Sequence, residues 1–141
     1  MAIYLDTSVL VSVYIPEKHS QSILTLLQNT EERPYLSRLA ETEFYAALSG
    51  KKRTKELTQS AIHTTTTMFQ HHITQLFYER IYVTDAIFET AINFLSSHKT
   101  NLRTLDALHL ACSATIDATL VTADKILAKS AEQLKVAVQL L

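Results

Sequence analysis

A single glycine, Gly50, occurs among the 141 residues, and this scarcity limits the kinds of site that the chain can build. The dinucleotide-binding turn G-x-G-x-x-G, the phosphate-binding loop G-x-x-x-x-G-K-[ST] and the nucleophile elbow G-x-S-x-G each need two or more glycines. The backbone in these motifs adopts positive φ or approaches phosphate closely. Gly50 alone can form none of them. Any phosphate chemistry must therefore depend on side chains.

The remaining counts indicate one domain in a reducing compartment. The lone cysteine, Cys112, excludes an intrachain disulfide and every zinc site with two or more thiolates. A chain of this length suits a single domain, residues 1–141. No apolar stretch approaches the roughly 20 residues that span a bilayer, and no signal-peptide pattern occurs, so we expect a cytoplasmic protein without membrane association. The net charge of −1 means that nucleic acid would have to bind a local patch.

Strand-like and helix-like segments alternate along the chain. Short runs rich in apolar residues or β-formers predict strands at residues 2–6, 34–37, 76–83, 119–122 and 136–138. Helical spacing predicts helices after Asp6, at 18–29, at 39–48 with Gly50 as its C-cap, at 54–73, after Thr84, at 104–115 and after Asp124. This alternation predicts an α/β fold in which a mainly parallel sheet of about four to five strands is flanked by helices on both faces.

Four acidic residues are candidates for a common site. Asp6 and Asp124 follow predicted strands, and ligand crevices in such sheets lie beyond the carboxyl ends of the strands. Glu43 and Asp106 lie in apolar helices, where a charge needs a partner. Carboxylates gathered in a half-buried crevice repel one another unless a cation neutralises them. Mg²⁺ or Mn²⁺ prefers oxygen ligands and can activate water for attack on a phosphodiester.

The chain resembles the PIN domains and, among them, the VapC-like toxins of toxin–antitoxin pairs. The resemblance runs nearly end to end and depends on four motifs, at residues 3–8, 39–48, 105–111 and 120–127. Their order and spacing together are more specific than any one of them. The resemblance implies a metal-dependent endoribonuclease in which Mg²⁺ or Mn²⁺ is held, directly or through water, by Asp6, Glu43, Asp106 and Asp124.

The resemblance also implies supporting residues and partners. Ser8 and Thr122 match hydroxyl positions that steady the carboxylates or waters in similar proteins. Leu127 stands where other PIN proteins carry a further acid, so a second tightly held metal is not expected. The implied partners are an RNA substrate, a cognate antitoxin and a second copy of the chain in a homodimer.

Simpler structural roles compete with these assignments. Asp6 and Asp124 could be helix N-caps only, and Asp106, which the pattern places inside a helix, could form a salt bridge with Arg103. His109, one turn after Asp106, is expected to be a hydrogen-bonded core residue rather than a ligand. Glu41 points roughly 200° away from Glu43 around the helix axis and is expected to be solvated.

One dense basic cluster could contact RNA phosphates. It consists of Lys51, Lys52, Arg53 and Lys55, just after the helix that carries Glu43. Cations at a helix C-terminus are also common as solvated residues that complement the helix dipole. A group of aromatic residues is expected in the core or in dimer contacts rather than in base stacking, namely Tyr14, Phe44, Tyr45 and Phe69.

Two other functions fit the same resemblance. The chain could be a PIN nuclease of RNA processing without a toxin role, or a catalytically inactive PIN-fold binding module. An adjacent short gene for a DNA-binding antitoxin would favour the toxin over the processing nuclease. The presence of all four acids, Asp6, Glu43, Asp106 and Asp124, argues against the inactive module, whereas Leu127 leaves room for it.

Overall fold

Five parallel strands form one central sheet in the computed structural model, which describes all 141 residues. Their bounds are β1 (Ile3–Leu5), β2 (Tyr35–Ser37), β3 (Glu79–Ile81), β4 (Thr119–Thr122) and β5 (Val138–Leu140). The strand order is β3-β2-β1-β4-β5, and every neighbouring pair is parallel. The structure thus confirms the α/β fold with a parallel sheet.

Seven helices cover the two faces of the sheet. They are α1 (Thr7–Tyr14), α2 (Ser20–Gln28), α3 (Arg38–Arg53), α4 (Gln59–Thr74), α5 (Asp85–Ser96), α6 (Thr104–Thr115) and α7 (Lys125–Gln133). Buried residues of α1 to α4 pack in one cluster with Ile3 and Leu5, and buried residues of α5 to α7 pack in a second cluster with Tyr4. Successive side chains of β1 thus enter opposite layers, as strand geometry requires. None of the seven helices combines the length and the hydrophobicity that a membrane span requires.

Some predicted boundaries are wrong, and Gly50 is the clearest case. Helix α3 continues past Gly50 to Arg53, so Gly50 lies inside the helix and is not its C-cap; its φ is not positive. The three cations at residues 51–53 complement the dipole of the last turn, which favours the longer helix. Strand β3 is shorter than predicted, and it pairs with the three-residue strand β2 over three residues only.

The connections at the carboxyl ends of the strands direct polar side chains to one edge of the sheet. The chain leaves β1 towards β2 on one side, while β4 lies on the other side, so the strand order reverses beside β1. Ligand crevices in open α/β sheets lie at such a reversal. Asp6 follows β1 and caps α1, and Asp124 follows β4 and caps α7. The fold thus places both residues at this edge.

Candidate functional site

Three of the four candidate acids line one open cavity of about 670 Å³, which we call the carboxylate cavity. They are Glu43 from α3, Asp106 from the first turn of α6, and Asp124 at the N-cap of α7. The remaining lining residues are Asn101, Arg103, Thr104, Leu105 and Ile126. Three separate segments of the chain thus bring negative charge to one cavity.

Electrostatic repulsion within the carboxylate cavity acts on Asp106. Burial raises the pKa of Asp106, and the negative charge of Asp124 and, to a smaller extent, that of Glu43 raise it further. The backbone N–H of Arg103 and the neighbouring His109 oppose these effects without reversing them. The ionised form of Asp106 is therefore disfavoured, and a bound cation would relieve this.

The donor atoms of the cavity suit a hard divalent cation, although they are not gathered into a compact site. Carboxylate oxygens are the ligands that Mg²⁺ and Mn²⁺ prefer. No group of three or more histidine, cysteine, aspartate or glutamate side chains is arranged to hold one metal ion in this structure. The chemistry of the residues thus fits the ion, and their spacing is looser than that of a preformed centre.

Asp106 does not occupy the environment expected from the sequence. It is the third residue of α6, which begins at Thr104, rather than a residue of the helix interior, and it is half-buried. Its carboxylate forms no ion pair with Arg103, whose side chain is exposed on the same cavity wall. The alternative role considered for Asp106, a salt bridge with Arg103, is therefore absent.

Asp6, the fourth candidate acid, lies behind the carboxylate cavity rather than on its surface. It is only 4% exposed. Its Oδ1 accepts hydrogen bonds from Ser8 Oγ at 2.7 Å and from the backbone N–H of Val9 at 3.0 Å, and its Oδ2 accepts one from Thr122 Oγ1 at 2.5 Å. Asp6 is thus an N-cap, and both predicted supporting hydroxyls contact it.

Ser8 and Thr122 also join the ends of β1 and β4. Ser8 Oγ accepts a hydrogen bond from the backbone N–H of Ala123 at 3.1 Å, and Thr122 Oγ1 accepts one from that of Asp124 at 3.0 Å. The two hydroxyls therefore fix the backbone that carries Asp124 relative to Asp6. Asp124 itself caps α7 by accepting from Ile126 at 2.8 Å and Leu127 at 3.1 Å.

Glu43 is held by two side chains that donate to the same oxygen. Its Oε1 lies 2.5 Å from His109 Nε2 and 2.8 Å from Thr7 Oγ1. Partial burial acts to raise the pKa of Glu43, but the hydrogen bond and charge of His109, together with the Thr7 hydroxyl, outweigh it, so the pKa is lowered. Glu43 is therefore an ionised carboxylate in a fixed orientation.

The contact with His109 continues into the core as a chain of hydrogen bonds. His109 Nδ1 lies 2.7 Å from the hydroxyl of Tyr4, which lies 2.7 Å from Ser37 Oγ. An ionised Glu43 can only accept, so Nε2 of His109 carries a proton and donates it to Glu43 Oε1, while Nδ1 faces the hydroxyl of Tyr4. The expectation that His109 is a hydrogen-bonded core residue agrees with this geometry.

The sequence pattern does not single out Tyr4 or Thr7 as site residues, although Thr7 contacts Glu43 directly and Tyr4 contacts it through His109. The signal for Tyr4 was a hydroxyl in an otherwise apolar buried strand, because such a hydroxyl needs a partner. Thr7 gives no separate signal. It follows Asp6 at the start of a helix, where such polar residues are common for capping alone.

Glu41 is buried, and the expectation that it is solvated is wrong. It is 7% exposed, and its carboxylate receives Arg80 Nε at 2.6 Å and Nη2 at 3.0 Å, with Arg38 Nη1 at 2.5 Å. The helix angle separated Glu41 from Glu43 correctly, but the opposite face of α3 meets Arg80 of β3 rather than water. Glu41 does not line the carboxylate cavity.

The basic cluster at the end of α3 is partly neutralised. Lys51 Nζ lies 2.9 Å from Glu17 and 3.3 Å from Glu56, and the hydrogen bond with Glu17 is the main cause of its raised pKa. Lys52, Arg53 and Lys55 are exposed. Only part of the cluster thus remains free for an anionic ligand.

The aromatic residues pack mainly with one another. Rings of Tyr14, Phe44 and Phe69 meet at centroid distances of 4.5 to 5.5 Å, and Phe44 and Phe69 are buried. Tyr45 joins the edge of this group and is half-exposed. Phe44 and Phe69 thus belong to the core and Tyr14 packs against it, whereas Tyr45 is exposed, and its expected role in a dimer contact stays a prediction.

Comparison with known proteins identifies one family. The sequence matches the family model described as PIN domain over residues 3–133, which is most of the chain. No curated protein sequence matches at a significant level.

Several solved structures share the fold at low sequence identity. FitAcB from Neisseria gonorrhoeae is 18% identical, with 96% of this chain and 95% of that chain covered and a TM-score of 0.77. VapC20 from Mycobacterium tuberculosis, a toxin that cleaves the sarcin-ricin loop, is 16% identical, with 92% and 95% covered and a TM-score of 0.70. VapBC2 from Rickettsia felis, bound to a DNA fragment from its promoter, is 15% identical, with 100% and 99% covered and a TM-score of 0.67.

Proposed function

Because the chain belongs to the PIN domain family, we propose that it is a metal-dependent endoribonuclease that hydrolyses RNA phosphodiester bonds, and that it is the toxin of a type II toxin–antitoxin pair. The observation that carries this proposal is the carboxylate cavity, which Glu43, Asp106 and Asp124 line from three segments of the chain. PIN nucleases act on nucleic acids and generally use divalent ions.

The proposed ligands are Glu43, Asp106 and Asp124 on the surface of the cavity, with Asp6 behind them. When bound there, Mg²⁺ or Mn²⁺ supplies an activated water and stabilises the charge that develops on the phosphate. The disfavoured ionisation of Asp106 is the electrostatic reason for a cation to bind.

The surrounding residues prepare the cavity for this chemistry. His109 and Thr7 keep Glu43 ionised and oriented before any substrate arrives. Ser8 and Thr122 hold Asp6. The exposed guanidinium of Arg103 lies on the wall of the same cavity, where it can donate hydrogen bonds to a phosphate oxygen of the substrate.

The toxin role is supported by the kind of proteins that share the fold. These include a toxin–antitoxin complex from Klebsiella pneumoniae, VapBC-1 from nontypeable Haemophilus influenzae, and the VapC20 toxin. We extend the antitoxin partner of these complexes to this chain, and we also propose a homodimer and a cytoplasmic location. Induced expression of the wild-type chain alone should arrest bacterial growth, and expression of the Asp106→Asn variant should not.

Cleavage of RNA by the purified chain tests the enzymatic part of the proposal. Asp106→Asn and Asp124→Asn should each slow Mg²⁺- or Mn²⁺-dependent cleavage by about 100-fold or more, because each removes a charged ligand from a site that contributes several kcal/mol. Asp117→Asn is the matched control, since Asp117 is exposed, lies outside the cavity and has a positive φ that asparagine tolerates.

The outcomes separate the candidate functions. Cleavage that is equal in all variants, or that persists in a chelator, would contradict the proposed site. Binding of RNA without cleavage by the wild type would favour the inactive binding module. Cleavage without growth arrest would favour a nuclease of RNA processing.

A further inference from the structure

A second cavity adjoins the carboxylate cavity and is lined by three lysines; we call it the lysine cavity. Its volume is about 310 Å³, and Lys99, Lys125 and Lys129 lie around it with Thr100, Asn101, Ile126, Ser130 and Gln133. No acidic side chain lines it. Asn101 and Ile126 line both cavities, so the two are neighbours on one surface.

The three lysines of this cavity are free of ion pairs, unlike Arg33, Arg38, Lys51 and Arg80. None of Lys99, Lys125 and Lys129 has a carboxylate oxygen within 4.0 Å, and all three are exposed. In contrast, Lys51 lines a cavity together with Glu17 and Glu56, and it pairs with both. The lysine cavity therefore concentrates positive charge without an acid in its lining.

The composition of the lysine cavity suits a phosphate group. Three ammonium groups around one cavity repel one another, and an anion among them removes that repulsion. The hydroxyls of Thr100 and Ser130 and the amides of Asn101 and Gln133 provide hydrogen-bond donors of the kind that contact nucleic-acid backbones.

We propose that the lysine cavity binds backbone phosphates of the RNA strand whose scissile bond lies at the carboxylate cavity. This inference rests on the proposed ribonuclease function and specifies how its substrate is held. Lys99 comes from the segment between α5 and α6, whereas Lys125 and Lys129 lie on α7. The site is thus assembled by the fold, while the chain as a whole has a net charge of −1.

Binding of a fluorescein-labelled, unstructured single-stranded RNA tests the inference. The titrations use the full-length Asp106→Asn variant as parent, so that RNA stays intact, and are repeated at several salt concentrations. Lys99→Gln with Lys129→Gln, one substitution from each segment, should weaken binding about 25-fold at about 0.1 M salt. The double substitution should also make the negative slope of the logarithm of the association constant against log salt shallower by about 1.4. This follows from a slope of about 0.7 per phosphate contact on single strands, or about fivefold per lysine at that salt concentration.

A matched pair of substitutions controls for net charge. Lys18→Gln with Lys135→Gln removes the same charge from exposed lysines that form no ion pair and lie outside both cavities, and should change affinity by less than about twofold. Because all four lysines are exposed, the thermal unfolding of every variant should match that of the parent.

The results distinguish failure of the inference from failure of the proposed function. An equal loss in both pairs, or no loss in the Lys99 and Lys129 pair, would overturn the inference even if the wild type cleaves RNA. A third double variant, Lys52→Gln with Lys55→Gln, tests the basic cluster at the end of α3. A loss of RNA affinity confined to this variant would overturn the inference in favour of that cluster. A parent that does not bind RNA would overturn it as well. A selective loss with a wild type that does not cleave would support the phosphate site and contradict the nuclease.

Discussion

Replacing Tyr4 with phenylalanine removes one oxygen atom from the centre of the hydrogen-bonded chain that ends at Glu43. The aromatic ring stays the same size, and residue 4 is fully buried. The lost hydroxyl lies 2.7 Å from His109 Nδ1 and 2.7 Å from Ser37 Oγ. Ser37 keeps the backbone N–H of Ala40 as a partner at 3.0 Å, whereas Nδ1 of His109, which is 3% exposed, is left without one.

The expected cost follows from that unpaired nitrogen. A buried polar atom that loses its only partner costs about 1–3 kcal/mol, so Tyr4→Phe should lower the free energy of unfolding by about 2 kcal/mol. For a chain of this size this corresponds to a fall in Tm of roughly 4–8 °C. Urea unfolding should show the loss as a lower midpoint with an unchanged m-value.

Tyr82→Phe is the control for the Tyr4 experiment. Tyr82 is 66% exposed, and its hydroxyl makes no hydrogen bond, so its loss should change stability by less than about 0.5 kcal/mol. Equal stabilities of Tyr4→Phe and Tyr82→Phe would refute the continuous chain from Ser37 to Glu43.

Three further predictions concern other parts of the molecule. Gly50→Ala should raise the free energy of unfolding by about 0.5–1 kcal/mol, because Gly50 lies inside α3 with room for a methyl group; an unchanged or lower urea midpoint would contradict this. Arg80→Gln should lower the free energy of unfolding by about 2–3 kcal/mol, because the substitution removes the bidentate partner of the buried Glu41. A loss below about 0.5 kcal/mol in the urea assay would show that the pair between Arg80 and Glu41 is unimportant. Asp124→Asn should lower the pKa of Asp106 in the metal-free protein, because it removes the strongest neighbouring negative charge, and a ¹³C NMR titration in which that pKa is unchanged or higher would contradict the repulsion.

The order of strands and helices could be predicted because local signals agreed with one another. Asp6 and Asp124 each follow a buried apolar run, and each caps the next helix in the structure. The boundary at Gly50 could not be predicted in the same way. A glycine near a helix end is ambiguous, and here the three cations that follow it favour continuation of the helix.

The surroundings of the acids depend on contacts between distant segments. Helix geometry placed Glu41 and Glu43 on different sides of α3, but the pattern could not show that Arg80 of a distant strand meets Glu41. The same limit applies to the lysine cavity, where Lys99 and Lys129 are 30 positions apart in the sequence. A cluster that is continuous in the sequence, such as the one containing Lys51, is easier to find and here is partly neutralised.

The location of a bound Mn²⁺ ion tests the central claim most directly. Crystals of the wild-type chain soaked in Mn²⁺ should show an anomalous difference peak in the carboxylate cavity, in contact with carboxylate oxygens of Glu43, Asp106 or Asp124. The peak should be absent from crystals of Asp106→Asn and present in those of the Asp117→Asn control. A peak elsewhere on the chain, or none in the wild type at saturating Mn²⁺, would contradict the assignment of this cavity as the metal centre.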